Sequence, residues 1–270
     1  MSIDALYPAN GDNAILQVAF IVEWQTALNE EDLREVRKLQ PIFSDQLPDL
    51  QESQSMSVTF SPNGAVDTRQ QVSQLDGLHF VKADIAHGGR PIRSLQVNRN
   101  SLVAIVANYD RWDTVWNTVY QWFQHALTTV GRQRGFTGLT LQYTDSFQWR
   151  DNPALLNISE VFMSGSPYLP PYVYSSSSLW HSHHGYIEKL NEPVNSNLIN
   201  NINVDLVDHN KMRVLNINSS HKAIFNEPLW DSNDFSEIQA AFFERLHQKN
   251  KDQLTKLLSP EVCGKISLKS

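Results

Sequence analysis

RSLQVNRNSLVAIVANYDRWDTVWNTVYQWFQHALTTVG, residues 93–131, decides the fold class. Its first part holds two β-rich runs, Arg93–Val97 and Leu102–Asn108, around the loop Asn98-Arg-Asn-Ser101. Asparagine tolerates positive φ, so this spacing predicts a hairpin. Its second part predicts a helix over 111–130. Trp112, Val115, Trp116, Val119, Phe123, Ala126, Leu127 and Val130 recur three and four residues apart, which lines one helical face with apolar side chains. Asp110 and Asp113 fit a capping box, and Gly131 fits a left-handed stop. At this period the tryptophans read as core rather than as a flavin- or haem-stacking surface.

Working outward, ILQVAFIVEW (15–24) reads as a strand buried in its middle. Asn29 reads as a helix cap followed by Glu30, Glu31 and Asp32, where carboxylates meet the positive end of the dipole. Leu33, Val36 and Leu39 share one face of that helix, and Pro41 ends or bends it. Ser55–Phe60 and Gly77–Ile85 alternate as strands, with a turn at 61–64. GLTLQYTDSFQW (138–149) alternates for longer, and a short helix is expected around Asn157–Met163. Three prolines and many serines make Ser164–Ser178 a long connection. Beyond it, strands are expected near 179–189, 198–208 and 211–221, then a helix capped at Asp234, then a last helix started by Ser259-Pro260.

Runs of strands followed by helices, without strict alternation, are the pattern of an α+β chain. The expectation is of antiparallel sheets packed by long amphipathic helices. They form two similar strand-then-helix halves, 1–163 and 164–270, that share a core as one compact unit.

Composition excludes several activities. Twenty-two basic residues against 29 acidic ones leave a net charge of −7. No basic run is present to displace counterions from a duplex, so nucleic acid is disfavoured. Gly-x-Gly-x-x-Gly, Gly-x4-Gly-Lys-Ser/Thr and Gly-x-Ser-x-Gly are all absent, which removes the common nucleotide loops and the nucleophile elbow. No cofactor is expected. The single Cys263 leaves neither an intrachain disulfide nor a multi-cysteine zinc site, and points to a reducing compartment. The longest apolar run, Val18–Val22, is too short to span a bilayer. No signal-peptide pattern opens the chain. A cytoplasmic location without membrane contact is the expectation.

Four groups of side chains could carry function. His181 and His183, two apart on an expected strand, point to one face and could begin a zinc or iron site given a third ligand; a partly exposed strand at the mouth of the serine-rich loop is the favoured reading. Tyr143 and Asp145 alternate onto one face and could do acid–base work, or simply form a polar strand end. Cys263 and His247 could pair as a nucleophile only if the fold joined them. Tyr168, Tyr172, Tyr174 and Trp180, set among prolines and serines, have the composition of a contact surface, or of a loop laid over the sheet.

The early strand LQVAF, the 93–127 block, the strand GLTLQYTDSF and the tail AFFERLHQKNKDQLTKLLSPEV together resemble a prokaryotic family of roughly this length, sporadically distributed among bacteria and archaea and of unknown function. Where that family tends to have Arg-Tyr-x-Asn, this chain has Gln142-Tyr143-Thr144-Asp145. The family's patchy distribution implies mobile-element or defence biology, and no catalytic residue transfers from it. The expected function is a non-catalytic protein-interaction or adaptor protein of the prokaryotic cytosol, acting on a protein partner or by self-association. One alternative is a metal- or carboxylate-dependent enzyme around His181, His183 and Asp145; another is a chaperone-like or antitoxin-like client binder.

Overall fold

A computed structural model describes residues 3–57, 72–85, 88–130, 134–176, 178–210, 212–230 and 232–268. The turn expected at 61–64, the stop expected at Gly131 and the capping side chain of Asp234 lie outside the described parts. In chain order the elements are β1 (Leu6–Pro8), β2 (Ile15–Trp24), α1 (Glu30–Arg37), α2 (Gln40–Phe43), β3 (Asp49–Ser57), β4 (Val72–Asp84), β5 (Arg90–Asn98), β6 (Ser101–Val106), α3 (Trp112–Val130) and β7 (Phe136–Trp149). Then follow α4 (Ile158–Val161), β8 (Trp180–Leu190), β9 (Ser196–His209), β10 (Met212–Leu229), α5 (Ser232–Leu257) and α6 (Pro260–Lys265).

The ten strands form a single antiparallel sheet in the order β3-β4-β5-β6-β2-β7-β10-β9-β8, with β1 pairing the end of β7. This corrects the expected architecture. There are not separate antiparallel sheets packed by long helices in two strand-then-helix halves, but one large sheet with a few helices. Four of the six described α-helices have eight residues or fewer. The physical reason lies in β7, which pairs with β2 along one side and with β10 along the other. Hydrogen bonding therefore runs unbroken past the 164–178 connection. Alternation in a sequence reveals which face of a strand is buried but not which strand lies beside it.

One face of the sheet is covered and the other open. Leu139, Leu141, Tyr143 and Phe147 of β7 are buried on the covered face, in register with inward residues of β2 and β10. On the opposite face Gln142 is exposed, and Asn201, Asn203, Asn218 and Ser220 are half-buried polar residues. A solvated antiparallel face has this composition. The helices α1, α3 and α5 cover the other side. As expected, Asn29 caps α1: its side chain accepts from the Asp32 amide at 2.9 Å, while its own amide donates to Asp32 Oδ2 at 2.8 Å. The stripe of α3 buries Val115, Val119, Trp122, Phe123, Ala126, Leu127 and Val130. No described helix is long and apolar enough to cross a membrane.

Gly138 marks the tightest approach between β7 and β10. A Cβ there would stand 2.5 Å from the Ala223 carbonyl oxygen, closer than any real Cβ sits. Both strands are interior to the sheet, so neither can retreat. Gly138→Ala is therefore expected to cost roughly 1–3 kcal/mol by overpacking, read as a lower urea midpoint. An unchanged midpoint would contradict the close approach.

Candidate functional site

The covered face carries two apolar clusters rather than one. The larger holds Phe20, Trp122, Phe123, Phe242, Phe243 and Leu246, with Tyr143 at its rim. The smaller holds Phe147, Phe162, Ile217, Leu254, Leu257 and Val262. Several elements run from one cluster into the other and turn polar at the crossing. On β7, Asp145 stands between Tyr143 and Phe147. On β10, Ser219 and His221 separate Ile217 from Ala223. On α5, His247 and Asn250 separate Leu246 from Leu254. A polar seam thus divides the core.

At this seam a cavity of about 660 Å3 opens, within the ~300–1,000 Å3 range of small-molecule sites. Tyr109, Trp112, Tyr143, Asp145, His247 and Asn250 line it. The Tyr143 hydroxyl and His247 Nδ1 share a hydrogen bond of 2.9 Å. Trp112 lies flat on the His247 ring, with centroids 4.1 Å apart and planes 5° off parallel. Its indole N–H donates to Glu244 Oε2 at 2.6 Å. Stacking and hydrogen bonding together fix the imidazole orientation. Tyr109 meets Tyr143 edge to face at 6.4 Å.

The electrostatics follow from burial. Asp145 is only 2% exposed, and its Oδ2 has no hydrogen-bond partner among the described residues. Desolvation disfavours the carboxylate and pushes Asp145 up to about 7. Burial, then the charge of Lys251, pulls His247 down to about 4, so its imidazole is neutral at physiological pH. Tyr143 is raised well above its ordinary value by burial first, then by Tyr109 and by the Asp145 and Glu244 charges. The cavity wall therefore holds a phenol, a neutral imidazole and a carboxyl poised to gain or lose a proton near neutrality. Such a set can donate to, accept from and exchange a proton with a bound molecule.

Behind this wall a buried network extends along the sheet. The Ser219 hydroxyl donates to Asn250 Oδ1 at 2.5 Å, and His221 Nε2 lies 3.4 Å from the same oxygen. His221 Nδ1 meets Asn200 Oδ1 at 2.8 Å, and the Asn200 amide donates to Glu188 Oε2 at 2.9 Å. Lys249 pairs with that Glu188 oxygen at 2.6 Å. Burial, above all, pulls His221 down to about 4. The chain of contacts holds Asn250 in place at the cavity wall.

Of the residues singled out in the sequence, Tyr143 and Asp145 are brought together at the cavity. His181 and His183 lie on the open face of the terminal strand β8. His181 Nδ1 meets Asp205 and His183 Nδ1 meets Asn203. Among the described residues no three His, Cys, Asp or Glu side chains gather as a metal site. Within the 164–180 segment, Tyr168 stacks on Tyr186 at 6.3 Å and meets His184 edge-on. The Tyr174 hydroxyl donates to the Met163 carbonyl at 2.6 Å. Trp180 is buried against Phe162, and Tyr172 is exposed. Cys263 is buried, and burial pushes its thiol up, away from the nucleophilic thiolate.

Among the cavity residues, Tyr109 was not singled out in the sequence, Trp112 was read as core, and His247 was weighed only as a partner of Cys263. The signal for His247 is an interruption: with Asn250 it breaks the apolar face of α5, as Asp145 breaks that of β7. In comparisons with known proteins, no family model and no curated protein matches the chain.

Proposed function

We propose that this protein binds a small organic molecule in the seam cavity and exchanges a proton with it through Asp145. The observation that carries this reading is the Asp145 carboxyl oxygen, buried without a partner on the wall of a ligand-sized cavity. A buried polar atom left unpaired costs roughly 1–3 kcal/mol, and a ligand group that bonds to it recovers that cost. Tyr143, held protonated and anchored to His247, supports the reading as a second, fixed hydrogen-bonding group beside it. The reading takes up the carboxylate form of the enzyme alternative, centred on Asp145 rather than on His181 and His183.

The test is a thermal-shift screen of small polar organic molecules at pH 7 against the wild type and Asp145→Asn. A ligand near one hundred times its Kd adds about 2.7 kcal/mol of stability, so a Tm rise of roughly 5 °C or more is expected for the wild type. The rise shrinks sharply in the variant. Ligands that stabilise both proteins alike would remove Asp145 from the site.

A second reading, a cytosolic protein-interaction role, is favoured by β8. It is the terminal strand of the sheet, and among the described residues no strand pairs with its outer side. Its open face presents His181, His183 and Lys189, with Ile187 two-thirds exposed. An unprotected edge of this length is a template for strand addition by a protein partner or a second copy. Ile187→Lys is expected to weaken any such association, read by light scattering across a concentration series. A persisting complex would exclude the edge.

A further inference from the structure

The charge around the cavity identifies the class of molecule it takes, an inference that rests on the cavity being a ligand site. Asp145 is enclosed, yet among the described residues no Lys, Arg or His forms an ion pair with it. Tyr109 and Tyr143 on the same wall feel its charge and carry no positive charge themselves. The two cations that line the cavity, Arg111 and Lys251, are matched there by two further carboxylates, Asp12 and Asp110. Counted as ionised, the lining therefore carries one more carboxylate than it has cations, and Asp145 is the enclosed one. Around that point the wall is aromatic, from Tyr109, Trp112 and Tyr143, and aliphatic, from Ile15, Leu254 and Ile266.

We propose that the cavity accepts an organic cation, an amine or protonated nitrogen heterocycle, with its N–H group against Asp145 and its carbon skeleton on the aromatic and aliphatic wall. Three physical effects converge on this class. A cation supplies both the missing charge and the hydrogen bond that Oδ2 lacks. Aromatic faces favour a nearby cation through their quadrupole. A neutral donor would meet only the hydrogen-bonding need, and an anion would meet the Asp145 carboxylate with like charge. The Asp145 charge contributes to raising Tyr109, so Tyr109 stays a neutral phenol beside it.

The experiment uses three probes of one shape on the full chain: benzylamine, benzyl alcohol and benzoate. The carboxyl carbon of Asp145 is followed by NMR across a pH titration, with amide shifts of the cavity residues recorded in parallel. Saturating benzylamine is expected to lower the Asp145 midpoint by roughly one pH unit or more, since an opposite charge at contact favours the ionised form. Benzyl alcohol is expected to bind at least tenfold more weakly, and benzoate weaker still. If benzyl alcohol or benzoate perturbs the cavity amides as strongly as benzylamine, the cationic class is overturned while the ligand site stands. If none of the three perturbs them, both inferences fall together. The reading is taken on the wild-type carboxyl, so it does not depend on a variant that folds.

Discussion

Phe20→Ala is expected to lower the unfolding free energy by roughly 3–5 kcal/mol. Phe20 sits on β2 with no solvent exposure. Its ring lies 5.7 Å from those of Trp112 and Trp116 and 5.3 Å from that of Phe243. It thus joins the sheet to α3 and to α5 at one point. Truncation leaves a void that three large rings on two helices cannot close together, so the cavity cost adds to the lost transfer energy. The effect reaches the site as well, because Trp112 is also the ring that fixes His247. Urea denaturation followed by circular dichroism measures the loss, and a cost below about 1 kcal/mol would show that the rings repack.

The second large effect appears only as a dependence on pH. Asp145 titrates at about 7 in the folded chain against 3.8 for the ordinary side chain. Between those values the native state holds a proton that the unfolded state has released. Stability therefore falls as pH rises through this window, and the fall is complete just above 7. At about 1.4 kcal/mol per pH unit the full loss is roughly 4 kcal/mol. His221 and His247, both lowered by burial, act in the opposite direction: their neutral forms are favoured by folding, and that stability is lost as pH falls through their depressed values. Their contribution cancels when wild type and Asp145→Asn are compared at each pH. The expected result is that the variant gains on the wild type by several kcal/mol between pH 4 and pH 8. Parallel stability curves for the two proteins would show that Asp145 is solvated in the native state.

Much of the local structure was legible in the residues themselves. The helix spacing from Trp112 to Val130, the box at Asn29 and Asp32, and the alternation around Tyr143 and Asp145 each follow from contacts within a few residues. Strand neighbours are a different kind of information. Nothing local in β7 says that one side meets β2, more than a hundred residues earlier, and the other meets β10. The single sheet was therefore missed, although most of its strands were read; β1 and the first part of β3 were not. The site divides in the same way. Asp145 and Tyr143 were singled out because alternation puts them on one face of the strand. His247 was missed as their partner because it lies about a hundred residues away on α5, where one histidine in an amphipathic helix has no local mark. The polar break shared by three elements becomes a signal only once they are known to lie side by side.

The seam has a consequence for how the molecule comes apart. A chain with two apolar clusters would ordinarily melt in two steps, the weaker cluster first. Here β7, β10 and α5 each pass through both clusters without interruption. Losing one cluster would require fraying these strands and this helix at mid-length, breaking ladder hydrogen bonds whose other halves remain intact. The interior amides of β7 and β10 on either side of Asp145 are therefore bound to exchange with solvent through one shared opening event. The polar crossing concentrates chemistry at a point where the molecule is mechanically continuous.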